Sequence, residues 1–130
     1  MREILTVYVN VDNTTMVTGS LQKVVMVGFS GRAESEFFKG EILSGAVDTQ
    51  FYPVNGVPTL SARYALKGVD FEGKDCLIFI ENNCVSGSEY TMPRITTDST
   101  ALSFLESCEL CGRIESSDGL IIRIFDRRSF

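Results

Sequence analysis

The strongest constraint on this chain is a recurrence. Short segments rich in Val, Ile, Thr, Tyr and Phe follow one another, each closed by a cluster of turn residues. The runs are EILTVYVNV (3–11), LQKVVMVGF (21–29), AESEFFKGEIL (33–43), VDTQFYP (47–53) and PTLSARYALK (58–67). They continue with CLIFIENN (76–83), YTMPRITT (90–97), SCELCGRIE (107–115) and LIIRIFDRR (120–128). Many short strands at near-regular spacing predict an all-β sandwich or barrel. Gly40, inside the third run, is expected at a bulge. One segment breaks the pattern. TTDSTALSFLES has Asp98 or Ser99 as an N-cap, then Ala101, Leu102, Phe104 and Leu105, which suits one short helix near 98–106. A chain of 130 residues fits a single domain over 1–130 and is long enough to bury a core.

Charge narrows the partners. Twelve Lys and Arg stand against seventeen Asp and Glu, for a net charge of −5. With no basic stripe, neither nucleic acid nor an anionic membrane surface is an expected partner. The start, MREILTVYVNV, lacks the apolar core of a signal peptide, and no apolar run is long enough to span a bilayer. The expectation is a cytoplasmic protein.

The chain has no histidine. This removes Ser-His-Asp and Cys-His catalysis, histidine zinc sites and the usual base near neutral pH. Of the four cysteines, Cys108 and Cys111 form a Cys-x-x-Cys, but in a strand-like run where an odd offset sends the two thiols to opposite faces. Core packing is the better reading of both, and Cys76 and Cys84 do not complete a zinc-ribbon spacing. No metal or cofactor is expected. Ser30-Gly31-Arg32 is too short for a phosphate loop and no helix follows it. Glu34 and Glu36 read as a solvated strand face, and Arg127 and Arg128 as tail charges.

The stretch GAVDTQFYPVNGVPTLSARY carries the polar groups of interest. Asn-Gly between alternating runs predicts a hairpin with a two-residue turn. If Asn55 and Gly56 form the turn, Gln50 faces Ser61 and Asp48 faces Arg63 on one side. Val47, Phe51, Leu60, Ala62, Tyr64 and Leu66 then share the other side. Adding the next strand, with Ile78 and Ile80 on the apolar face, puts Glu81 beside Arg63. On a solvated face such a pair is worth about 0–1 kcal/mol. In a pocket, Arg63 would be needed to keep Asp48 ionised.

These residues also carry a resemblance. Gly31, Gly40, Gly45-Ala46-Val47-Asp48, Gly56, Ala62-Arg63-Tyr64, the segment Ile78 to Asn82 and Asp118-Gly119 occur in the order found in the bacterial domain-of-unknown-function family 3237. The match runs through most of the chain after about residue 20. It departs where Val47 replaces a second glycine, where Thr49 replaces an aromatic, and where Leu102 to Glu106 lack the family's Tyr and Asn. The resemblance implies an antiparallel calycin-like, lipocalin-related β-barrel with room for one small ligand. It marks Asp48 and Arg63 as family positions. A lipocalin interior is mostly apolar, so either the polar hairpin face points inward under an outer coat, or a bulge near Gly45 re-aims Asp48.

Three functions fit. The first is a barrel binding a small, partly apolar ligand, with Asp48, Arg63, Glu81, Asn82, Tyr64 and Gln50 as contacts. The second is an enzyme on the same pocket, with Asp48 as general acid or base in an isomerase or dehydratase step. The third is a homo-oligomeric interaction module that assembles by a strand edge or outer sheet face.

Overall fold

The computed structural model describes residues 1–117 and 119–128. Its elements are β1 (Arg2–Thr18), β2 (Gln22–Glu34), β3 (Phe38–Ile42), β4 (Val47–Pro53), β5 (Thr59–Asp70), β6 (Asp75–Val85), β7 (Met92–Thr97), a 3-10 turn (Ser103–Glu106), β8 (Leu110–Ser117) and β9 (Gly119–Asp126). The third expected run splits. Ala33 and Glu34 end β2, Ser35 caps a tight turn through N–H bonds from Phe37 and Phe38, and β3 follows. β1 runs longer than expected because Asp12-Asn13 is absorbed as a bulge against β2, and the Thr- and Val-rich sequence beyond it stays paired up to Gly19-Ser20. The turn between β8 and β9 includes Asp118, which lies outside the described residues.

The strands form one antiparallel sheet in the order β7-β6-β5-β3-β2-β1-β9-β8. β3 and β4 share one position in it. β3 pairs with Arg32 to Glu34 of β2 and with Leu66 to Asp70 of β5; β4 pairs with Gln22 to Gly28 and with Thr59 to Arg63 of the same two strands. The link between them, residues 43–46, turns through Gly45 at φ 95°, a left-handed conformation suited to glycine. The sheet closes on itself where Thr91 and Gly112 exchange N–H···O bonds of 2.8 and 2.9 Å. A side chain at 112 would put its Cβ 2.2 Å from the Thr91 hydroxyl, so the seam needs glycine there. The protein is thus a closed all-β barrel. Among the described residues no helix is long and apolar enough to cross a membrane.

The core fills one half of the barrel. Ile4, Leu5, Val7, Phe38, Leu66, Ile78, Ile80 and Ile124 are fully buried there. The expected helix is a turn at 98–102 followed by the 3-10 turn, and its Leu102 and Leu105 plug this end. Asp70 fixes the plug. Its carboxylate accepts bonds from the N–H groups of Glu72 and Lys74 and from the Ser99 hydroxyl at 2.8 Å, and Ser99 in turn accepts the Leu102 N–H. The Ser99 bond, with the backbone bonds, holds Asp70 below its ordinary pKa.

Gly40 is not at a bulge. It lies in an unbroken ladder directly opposite Gly68. A Cβ at Gly68 would stand 2.0 Å from the Lys39 carbonyl oxygen and 2.5 Å from the Gly40 Cα. The glycine pair therefore exists for close approach of two backbones. Gly68→Ala should destabilise the barrel by about 1–3 kcal/mol, the usual range for overpacking. Urea unfolding measures this, and an unchanged midpoint would mean that β3 and β5 are not held this close.

Candidate functional site

The β4–β5 register differs by one residue from the two-residue-turn expectation. Val47 pairs with Arg63, Asp48 with Ala62, Thr49 with Ser61, Gln50 with Leu60 and Phe51 with Thr59. The reason lies at the loop. Pro53 and Pro58, which would face each other in the expected register, have no N–H to offer. The loop ends turn instead to outer neighbours. Val54 N–H bonds to the Leu21 carbonyl beyond β2, and the Pro58 carbonyl accepts from Ser86 beyond β6. The strands diverge, and pairing stops at Phe51–Thr59.

A one-residue shift moves every side chain of β4 to the other face. Asp48 therefore enters the lumen with Gln50, while Val47 and Phe51, expected on the apolar face with Ala62, point outward. Arg63 also points outward, with its side chain 64% exposed. It pairs with Glu81 at 3.1 Å, directly across the β5–β6 ladder. The expected Asp48–Arg63 pair is thus absent, whereas the Arg63–Glu81 neighbourhood is present on the outer wall. Neither an outer coat nor a bulge in β4 is involved.

A transverse row runs along the lumen wall from Val27 through Asp48 and Ala62 to Asn82 and Pro93. Asp48 and Asn82 flank a cavity of about 60 Å³. Its other walls are apolar and come from successive strands round the barrel: Leu60 and Ala62 of β5, Val27 and Phe29 of β2, Val9 and Val11 of β1, Leu120 and Ile122 of β9, and Ile114 of β8. Asn82 is only 1% exposed. Its Oδ1 and the Asp48 Oδ1 have no hydrogen-bond partner among the described residues. Buried polar atoms are nearly always paired, so two orphan acceptors facing one apolar cavity require an explanation.

The other Asp48 oxygen is held. Gln50 donates to Oδ2 at 2.9 Å, and Tyr52 donates to the Gln50 carbonyl oxygen at 2.7 Å. This chain of i, i+2 neighbours leads from the lumen to the exposed rim. Burial pushes the Asp48 carboxyl above its ordinary pKa, against the smaller lowering effect of the Gln50 bond. Tyr64 lies deeper, edge-on to Phe29 at 5.2 Å, and burial pushes its phenol up. Among the described residues its hydroxyl also lacks a partner, as does that of Thr91 at the seam, though neither residue lines the cavity. The sequence reading missed Thr91; Gly112 inside a strand-like run was the signal that a side chain approaches closely there. Cys108 and Cys111 are free thiols; Cys111 is buried and Cys108 lies against Asp126. Arg128, read as a tail charge, closes on Asp126 at 2.8 Å.

These features define an antiparallel β-barrel with a small, mixed-polarity cavity in its lumen. No family model matches the chain, and no curated protein matches it. Solved structures share its fold. A protein of unknown function from Clostridium acetobutylicum is 21% identical, with a TM-score of 0.77 over 95% of this chain and 93% of that one. A β-barrel-like protein from Acinetobacter baumannii is 18% identical, with a TM-score of 0.74 over 95% and 91%. An enzyme from Penicillium herquei is 12% identical, with a TM-score of 0.73 over 95% and 92%. At these identities the likeness is one of fold.

The raised Asp48 pKa has a stability consequence. A carboxyl with a folded-state pKa above its unfolded value favours folding fully below the unfolded value. It loses that contribution as pH rises through the folded one. Asn in its place keeps an acceptor for Gln50 and never ionises. Asp48→Asn should therefore melt higher than wild type at pH 7, with the gap narrowing on acidification and gone below about pH 3.9. Melting curves across that range test this; a variant less stable at pH 7 would mean that the ionised carboxylate is compensated.

Proposed function

We propose that the barrel is a cytoplasmic binder of a small, partly apolar molecule, related to the bacterial family it resembles in sequence. One polar group of the ligand docks between Asp48 and Asn82. The observation that carries this reading is the pair of buried, unpartnered acceptor oxygens in an otherwise apolar cavity. Ligand pockets commonly span about 300–1,000 Å³. A cavity of about 60 Å³ accepts a ring edge or a small substituent, with the rest of the ligand lying toward the rim at Val11 and Tyr52. Hydrogen-bond donors such as hydroxyl or amide N–H suit two acceptors, and a net charge of −5 disfavours polyanions. Arg63 and Glu81, on the outer wall, take no part.

One observation favours a second reading. Asp48 is partly buried, is oriented by Gln50, and has a pKa raised by burial, with no ion pair to it among the described residues. Those are the properties of a general acid–base. In an isomerase-type step its free oxygen would take a proton from one atom of the ligand and return it to another, with no net change in the carboxyl. The name of the Penicillium structure, an enzyme on the same fold, is compatible with this reading.

A thermal-shift screen of small aromatic and aliphatic acids, lactones and sugars tests both. A hit should lose all effect on Ala62→Leu, which fills the cavity between the two polar groups. It should bind Asp48→Asn about tenfold or more weakly, as expected for one lost charge-assisted hydrogen bond. Deuterium entering the hit from D₂O in wild type, and not in Asp48→Asn, would establish proton transfer. Hits indifferent to Ala62→Leu would remove the lumen as the site.

A further inference from the structure

β1 has two halves with different neighbours. Up to Val9 it pairs with β9, whose Leu120 is the last partner. Beyond Val9 it pairs, among the described residues, only with β2, out to Thr18 opposite Lys23. One edge of β1 from Asn10 to Thr18 is therefore open, and every residue along it is exposed. Closed barrels abolish such edges, because a row of unpaired N–H and C=O groups templates another strand.

Proteins blunt open edges with charge, proline or bulges. Here that protection covers only the near end. The register shifts between Val11 and Asn13, and Asp12 at the bulge accepts a hydrogen bond from Ser30. Past the bulge, NTTMVTGSLQ (13–22) holds no charge and no proline, in a chain of net charge −5. Copies that repel elsewhere can approach here. Met16 and Val17 are 56% and 64% exposed, and Leu21 at the hairpin tip is more exposed still.

We propose that a second copy of this chain pairs with this edge, β1 against β1, antiparallel, about a two-fold axis near Met16. Antiparallel self-pairing is isologous and closes as a dimer rather than a filament. With Met16 facing its symmetry mate, Thr14 faces Thr18 and Thr15 faces Val17. No charge meets a like charge, and threonine and β-branched pairs across strands are favourable. Residues paired in this register share a face, so the two concave faces lie on one side of a continuous sheet. Each copy's 19–21 turn then approaches the other's Val11 at the rim.

Sedimentation velocity over the micromolar range tests this. Wild type should sediment as twice the 14.4 kDa chain. Met16→Lys and Val17→Lys, both on exposed strand surface, should weaken association at least tenfold. Met16→Cys should form an intermolecular disulfide on mild oxidation, whereas Val57→Cys, on the exposed β4–β5 loop, and wild type should not. A wild-type monomer throughout, or a dimer indifferent to both lysines and uncrosslinked at residue 16, would overturn the proposal. So would a monomer that binds phosphatidylcholine vesicles through Met16 and Val17, which would assign the surface to lipid.

Discussion

The register of β4 is the constraint on which the rest of the lumen depends. This strand is locked on both edges, through seven residue pairs with β2 and five with β5. A slip against either neighbour would have to break the ladder on that side. The lock sets Asp48 between Val27 and Ala62, facing Asn82 one strand further on. It also sends Arg63 to the outside, where Glu81 is its partner. A carboxylate thus enters the barrel and its nearest candidate counter-ion does not. The elevated pKa of Asp48 follows from that separation, because burial disfavours the charged form and only the Gln50 amide offsets it.

The two halves of the barrel follow different physical rules. The half closed by Leu102 and Leu105 is packed with aliphatic side chains, and its buried carboxylates are bonded, Asp70 by Ser99, Glu72 and Lys74 and Asp126 by Arg128. The other half keeps a cavity and leaves acceptor oxygens unmatched. Packing and satisfied hydrogen bonds hold the first half rigid. The second half sacrifices some stability at Asp48, and that is the usual mark of a position kept for what it touches rather than for how it packs. The glycine seams serve the same division. Gly40 and Gly68 bring β3 and β5 together in the wall, and Gly112 lets the Thr91 side chain lie against the last joint of the ring.

The open end of the barrel is built from strands of unequal length. β1, β2, β4, β5 and β6 continue past the level at which β9 stops, so the ring cannot close there. The β1 edge lacks a neighbour because β9 begins only at Gly119, whose successor Leu120 pairs with Val9.

Much of this was legible in the sequence, because strand existence is a local property. Runs of β-branched and aromatic residues between turn clusters mark the nine strands, and the alternation within β5 and β6 correctly puts Arg63 beside Glu81 and Ala62 on the side of Ile78 and Ile80. The link from Asp48 to Gln50 follows from their spacing of two. What alternation cannot decide is which of its two faces a strand turns inward, since a shift of one residue exchanges them. For β4 that choice was made by the Leu21 carbonyl and the β2 ladder on one side and by the Ser86 bond on the other, contacts set by distant parts of the chain. The sequence determined that the hairpin carries an acid and a base. Only the closed sheet, by satisfying backbone groups at both ends of a proline-flanked loop, decided that the acid faces the lumen and the base faces solvent.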